Sequence, residues 1–401
     1  MILQVVEYQK VLIGKGLSLP QWQALVAFAQ KNGERYYKIL HNGIQLQQYV
    51  GVLQVGELTL EVLPKVNEAG DANVQAVLLE MLRECRLLQP ETASMAVLRQ
   101  RKGSLLEIYI TEFLQGVEQL LREGLLRTYV AEQENRQYYK GKIILHQHLV
   151  KNSTRPDRFF TQSFTYSYQY AFNRLIFKAL QVLQALPLHP DLAIYLQQLY
   201  QQFPPVEPWN QALPDWEKLR FNRQTLRYKN ILQTALLILQ QMQPDLSAGR
   251  LSVLAILFDM NILFEEFIFR RLQKLKNVNI IVKRQVPKPF WNRRPIQPDI
   301  LLTIDNQNIV IDTKWKKLQK VSPAMEDLRQ MFVYNQYFNA RHSVLVYPQV
   351  QGLEDLPPVP FQPTRENAEE YFCQVRLVEL VKDEKLNKEL GADLLKKISL
   401  L

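Results

Sequence analysis

The chain runs to 401 residues, 47% hydrophobic and 22% charged, enough for two or three domains with their own cores. Its two cysteines, Cys85 and Cys373, lie too far apart for a disulfide framework or a local zinc site, and no apolar run approaches the length of a membrane span. No basic leader opens the chain, so the cytoplasm is expected, and the net charge of +10 points to a polyanionic partner.

In chain order, Ile44–Gln47, Tyr49–Val55 and Leu58–Leu63 alternate apolar and polar positions between turn signals at Asn42-Gly43 and Gly56, which predicts a small barrel or curled sheet. Val74, Leu78, Met81, Leu82 and Cys85 then share one helical face. Ser104 and Glu107 are spaced as a capping box at the start of a helix to about Arg122. Strands are predicted at Leu126–Ala131 and Gly141–Leu149, the second placing His146 and His148 on one face. The aromatic run Phe159, Phe160, Phe164, Tyr166, Tyr168, Tyr170 and Phe172 reads as core packing at a domain seam, with base stacking as the alternative. Helical sequence follows from Asn173, and a cluster of prolines from Pro204 to Pro214 marks a linker. Further helices are expected at about Thr225–Gln241 and Val253–Leu275, separated by Pro244 and Gly249.

The last third changes character. Strands are predicted at Asn279–Val286, Asp299–Ile304, Asn308–Asp312 and Ser343–Tyr347, with a helix over Pro323–Asn339. The expectation is an α+β multidomain chain: a β-rich, barrel-like domain over 1–165, a helical connecting region over 166–245, and an α/β domain with a central mixed sheet over 246–401.

Chemistry concentrates in that last domain. Asp299 follows Pro298 at the start of one strand, and Asp312 ends the apolar run Ile309-Val310-Ile311, with Lys314 two residues on. A hairpin turning at Asp305-Asn306 brings both carboxylates to one sheet edge, while Asp312 and Lys314 project together and Thr313 points away. Hydrolysis of a phosphodiester needs such groups: Asp299, Asp312 and the Thr313 carbonyl are hard-oxygen ligands for Mg²⁺, with Mn²⁺ as substitute, and Lys314 assists the attacking water. Glu265 on the preceding helix is a supporting acid within reach of the metal or its water. Gln330 and Tyr334, four apart on the later helix, share a face with Asp327 and flank the same cleft.

From Val282 to Lys320 nine basic residues face three acids, a net +6. Lys283, Arg284, Lys288, Arg293, Arg294, Lys316 and Lys317 are the expected DNA contacts, with Trp291–Pro295 as a loop gripping the backbone. A second acid-x-lysine triplet, Asp383-Glu384-Lys385, lacks the apolar run before its acid and sits in a charged segment. The five histidines offer no hydrolase triad.

These residues resemble the McrC family, the nuclease subunit of McrBC modified-cytosine restriction systems, and the PD-(D/E)xK pattern of nucleases. The resemblance rests on Tyr49–Val55, Glu61–Lys65, Gly141–Ile143, Asn173–Leu175, Phe258–Glu265, Pro298-Asp299, Ile311–Lys316, and Asp327 with Gln330 and Tyr334, which is also similar to RecB-like nucleases. It implies a Mg²⁺-dependent endonuclease acting on double-stranded DNA, with a PD-(D/E)xK domain at the C-terminal end. It also implies that the 1–165 region binds a hexameric AAA+ GTPase like McrB and stimulates its hydrolysis, and that recognition of modified cytosine lies on that partner. No Gly-x-x-x-x-Gly-Lys-Ser/Thr loop is present, so no nucleotide is expected on this chain. A non-cutting DNA-binding activator of the motor and a free-standing RecB-like repair nuclease are the alternatives.

Overall fold

A computed structural model describes residues 2–65, 74–87, 104–243, 253–362, 370–383 and 385–399. Among the described residues the chain is mixed α+β, with ten α-helices and several sheets, none of which closes into a barrel. No helix there is long and apolar enough to cross a membrane. The chain divides into two compact units: Met1–Leu53, Thr59–Glu91 and Leu257–Leu401 form the first, Gln54–Leu58 and Thr92–Ile256 the second. The expected segments 1–165, 166–245 and 246–401 follow chain order, whereas these units do not.

In the first unit, the expected barrel-like arrangement is replaced by two open sheets. Gly16–Leu17, Lys10–Ile13, Gly43–Leu46 and Tyr37–Leu40 form one, flanked by the Leu19–Asn32 helix. Leu58–Leu63 lies between Tyr49–Val55 and Ile2–Val6 in the other, parallel to the latter from Ile2↔Thr59 to Val6↔Leu63. Tyr49–Val55 and Leu58–Leu63 are buried at every position, so both of their faces are covered rather than one face lining a lumen.

The same unit holds a six-stranded mixed sheet, ordered Ile280–Arg284, Ile300–Ile304, Gln307–Thr313, Ala340–Pro348, Phe372–Val378, Leu356–Pro360. Ile300–Ile304 and Gln307–Thr313 are antiparallel, from Ile300↔Ile311 to Ile304↔Gln307. Asp305 and Asn306 between them both take positive φ, 48° and 67°, the backbone that a two-residue hairpin turn requires. Gln307–Thr313 then runs parallel to Ala340–Pro348, and the Met325–Phe338 helix makes the crossover. That helix buries Met331, Tyr334 and Phe338 against Val310 and Leu345 of the sheet. Among the described residues beyond Gln349, four strands and the Leu390–Ser399 helix were not legible in the sequence.

The second unit contains the Leu105–Glu123 helix, whose capping box is present: Ser104 Oγ accepts from Glu107 N and the Glu107 carboxylate accepts from Ser104 N. Thr128–Arg136 pairs antiparallel with Phe159–Ser167 over nine residues each, and Lys142–Ile143 adds a short third strand. Gly141 at φ 84° approaches the Gln162 carbonyl so closely that a Cβ would lie 2.2 Å from its oxygen. Four further α-helices lie in the unit, Leu145–Asn152, Ala171–Leu183, Pro190–Gln202 and Lys229–Gln241. Asn173 is fully buried and ties it together, donating to the Leu126 and Tyr168 carbonyls and accepting from Tyr228.

Three sequence expectations change. Leu145–Asn152 is a helix, so His146 and His148 do not share a strand face; His148 Nδ1 instead meets Asn152 Nδ2 and the Phe160 amide. Val253–Asp259 is a buried strand and the helix begins only at Met260, since an unbroken apolar run fits either state by pattern alone. Pro244 and Gly249 lie outside the described residues. Finally, the aromatic run is only partly core: Phe160 and Phe172 are buried, but Phe164 and Tyr166 are 65% and 54% exposed.

Candidate active site

Asp299 sits one residue before Ile300, and continuing the antiparallel register sets it opposite Asp312 at the edge predicted from the hairpin. The Asp312 carboxylate is buried at the end of an apolar strand (2% exposed), and Lys314 Nζ lies 2.8 Å from its Oδ2. Burial, followed by the Asp299 charge, pushes the Asp312 carboxyl up to about 7 despite that lysine. Lys314 shifts in the same direction for a different reason. Burial disfavours its ammonium, but Asp312, Asp327 and Asp299 outweigh burial, and its pKa is raised.

The Met325–Phe338 helix closes the other side. Asp327 Oδ1 lies 3.4 Å from Lys314 Nζ, and Lys314 donates to Gln330 Oε1 at 3.3 Å. Gln330 Nε2 donates to Tyr334 OH, which donates in turn to the Gln297 carbonyl beside Pro298-Asp299. Asp327, Gln330 and Tyr334 recur every three to four residues, so one helical stripe presents all three. Tyr347 OH donates to Asp327 Oδ2.

Thr313 holds the Asp299 carboxylate in place, a role the sequence reading did not assign. Its amide and hydroxyl both donate to Asp299 Oδ2, at 2.7 and 2.9 Å. The side chain faces away from Asp312 and Lys314, as alternation requires, and still reaches Asp299. The only signal was the hydroxyl itself.

Glu265, on the Met260–Gln273 helix, is buried and carries a raised pKa, first through desolvation and then through Asp299. Its Oε1 accepts from Arg284 Nε at 2.9 Å and from Gln285 Nε2 at 2.8 Å, while Glu266 binds Arg284 and Arg270. Arg284 therefore neutralises two acids within the fold. Lys288 is similarly engaged, donating to the Tyr337 carbonyl. Lys283, Arg293, Lys316 and Lys317 are exposed, and the exposed Arg294 packs over Trp291 on the Lys288–Trp291/Arg294–Ile296 hairpin. Asp383 and Lys385 of the second acid-x-lysine triplet flank a small hairpin, and Glu384 lies outside the described residues.

Among the described residues no three or more histidines, cysteines or acids converge as a metal cluster. Two carboxylates still suit Mg²⁺, which retains several waters and takes only one or two protein acids. Asp312 Oδ2 is buried with the Lys314 ammonium 2.8 Å away, and the Asp299 charge disfavours that of Asp312; both features fit a divalent cation held by Asp299 and Asp312. The cysteines offer no nucleophile: both are buried, and burial raises both thiols, Cys373 to about 11.

A model of the family described as McrBC 5-methylcytosine restriction system component matches residues 44–348. The fold is similar to a chain of the Thermococcus gammatolerans assembly of McrB AAA+ hexamers with bound McrC, at TM-score 0.70 and 18% identity, covering 99% of this chain and 100% of that one. A chain of the cryo-EM structure of the Thermococcus gammatolerans McrBC complex aligns at TM-score 0.52 and 18% identity, covering 69% of this chain and 89% of that one. No curated protein matches. The chain belongs to the family of McrBC 5-methylcytosine restriction system components.

Proposed function

We propose that this chain is the DNA-cutting subunit of a modified-cytosine restriction complex, with a PD-(D/E)xK endonuclease site at Asp299, Asp312 and Lys314. The observation that carries the reading is the convergence of two strand-end carboxylates and one charged lysine at a single sheet edge. Asp299, Asp312 and the Thr313 carbonyl would hold Mg²⁺, or Mn²⁺ in its place; when bound, the metal supplies charge neutralisation at the phosphate and an activated water. Thr313 fixes the Asp299 carboxylate so that its second oxygen is left for the cation. Lys314, kept charged among three acids, acts toward the phosphate as a cation, and Gln330 and Asp327 fix its position. Tyr334 steadies Gln330. Lys283, Arg293, Arg294, Lys316 and Lys317 contact the double-stranded DNA backbone, and Glu265 supports the site from the neighbouring helix.

The motor is assigned to an AAA+ GTPase partner of the McrB kind, which this chain stimulates. Support comes from the family match and from the similarity to a chain of an assembly of McrB hexamers with bound McrC. The Thr128–Ser167 region adds to it by exposing Tyr129, Tyr138, Leu149, Val150, Phe164 and Tyr166, an apolar surface suited to a protein partner. Cytoplasmic action follows from that role.

The test mixes the chain with such a partner, GTP, Mg²⁺ and modified duplex DNA. Asp312→Ala is expected to lower cutting by about 10³-fold, the equivalent of about 4 kcal/mol of lost transition-state stabilisation, and to leave stimulated GTP hydrolysis intact. Undiminished cutting by the variant would remove the site assignment.

A further inference from the structure

A cavity of about 250 Å³ is bordered by Glu7, Tyr8, Lys65 and, directly after Lys314 in the chain, Trp315, Lys316 and Lys317. It is assembled from sequence-distant parts of the first compact unit. Glu7 and Tyr8 follow the Ile2–Val6 strand, Lys65 lies just past Leu58–Leu63, and Trp315, Lys316 and Lys317 follow the Gln307–Thr313 strand and Lys314. Glu7 joins them: its Oε1 accepts from the Lys65 amide and from Trp315 Nε1, both at 2.8 Å.

Three features of this cavity suggest an occupant. Three lysines surround it. Lys65, Lys316 and Lys317 are exposed, and Lys316 Nζ stays 3.8 Å from Asp327 Oδ2, while the other oxygen of that carboxylate meets Lys314. Tyr8 offers an aromatic face that is half exposed, on a backbone at φ 64°, a left-handed conformation that a tyrosine adopts only where the surrounding turn enforces it. Glu7 itself is 2% exposed, yet its Oε2 is buried without a hydrogen-bond partner. A buried acceptor left without a donor can take one from a ligand.

We propose that this cavity is a nucleotide subsite, holding one nucleotide of the DNA strand next to the phosphate that is cut. Lys65, Lys316 and Lys317 neutralise its phosphate, Tyr8 stacks on its base, and Glu7 Oε2 accepts from a base N–H while Glu7 Oε1 keeps Trp315 and Lys65 in place. The subsite rests on the nuclease reading for its substrate, and it adds a reason for the Glu7–Trp315 bond. Because Asp327 faces both Lys314 and Lys316, a strand seated here is registered against the catalytic lysine.

The test measures binding of the full-length chain to a short DNA duplex without divalent metal, over a salt series, and then KM and kcat of cutting with partner, GTP and Mg²⁺. Lys65→Ala and Lys317→Ala are each expected to flatten the log Kd against log salt slope by about 1, and Tyr8→Ala to weaken binding about tenfold with the slope preserved. All three raise KM and leave kcat nearly unchanged. Lys396→Ala, an exposed lysine on the Leu390–Ser399 helix, leaves the slope as it was. Unchanged slope, Kd and KM in the Lys65 and Lys317 variants would overturn the subsite, as would salt-independent binding by the unsubstituted chain. Failure of the nuclease reading looks different: Asp312→Ala would still cut.

Discussion

Two antiparallel strand pairs in this molecule dispose their side chains in opposite ways. The pair Ile300–Ile304/Gln307–Thr313 buries Ile300, Leu302, Val310 and Ile311 and places titratable groups at one end of that apolar body. Thr128–Arg136/Phe159–Ser167 alternates instead with aromatic rings outward, so that Tyr129 and Tyr166 meet each other at 5.0 Å on the surface. The first pair accepts the desolvation of carboxylates, which makes sense only where charge is to be used. The second leaves apolar area in water, which makes sense only where a partner covers it. On the function proposed above, burial that violates the ordinary partition marks two different tasks, chemistry in one unit and association in the other.

The contrast can be broken by substitution. Leu345→Ala, in the strand beside Asp312 and fully buried, is expected to cost about 2–5 kcal/mol in denaturant unfolding. A loss under about 1 kcal/mol would show that the sheet is not the tightly packed support described. Next in size is the linkage to metal. Mg²⁺ at about 100 times its Kd should add about 2.7 kcal/mol of stability, and Asp312→Asn should erase that gain. An equal gain in the variant would move the cation elsewhere.

Smaller effects sharpen the difference. Thr313→Val removes the hydroxyl donor to Asp299 but keeps the amide, so cutting should fall about tenfold, near the net worth of one hydrogen bond to a charged group. Unaltered cutting would leave the amide as sufficient clamp. Phe164→Ser and Tyr166→Ser should alter stability by no more than about 0.5 kcal/mol, because both rings are already in water, yet lower stimulation of the partner's GTP hydrolysis. Full stimulation by the double variant would detach that surface from the motor.

The meeting of Asp299, Asp312 and Lys314 was legible because local rules reach it. Ile309-Val310-Ile311 announces a strand, Asp305-Asn306 announces its turn, and alternation puts Asp312 and Lys314 on one face. Gln330 and Tyr334 follow from helical spacing. Glu7 was not legible, since its partners Lys65 and Trp315 are 58 and 308 residues away and no periodicity links them. Arg284 was misleading for a related reason: a basic residue in a basic stretch reads as a DNA contact until Glu265 and Glu266 arrive from another element. Phe164 and Tyr166 failed because aromatic content predicts burial on average, whereas here the alternation along a half-covered ribbon decides it.

The central claim is that Asp299, Asp312 and Lys314 cut DNA while another protein supplies the motion. Its most direct test is a single reaction with partner, GTP, Mg²⁺ and modified duplex, scored at once for strand cleavage and for GTP hydrolysis with Asp299→Ala, Asp312→Ala and Lys314→Ala. The account predicts that each variant loses cleavage and keeps the stimulated hydrolysis. Cleavage retained by all three variants would contradict it.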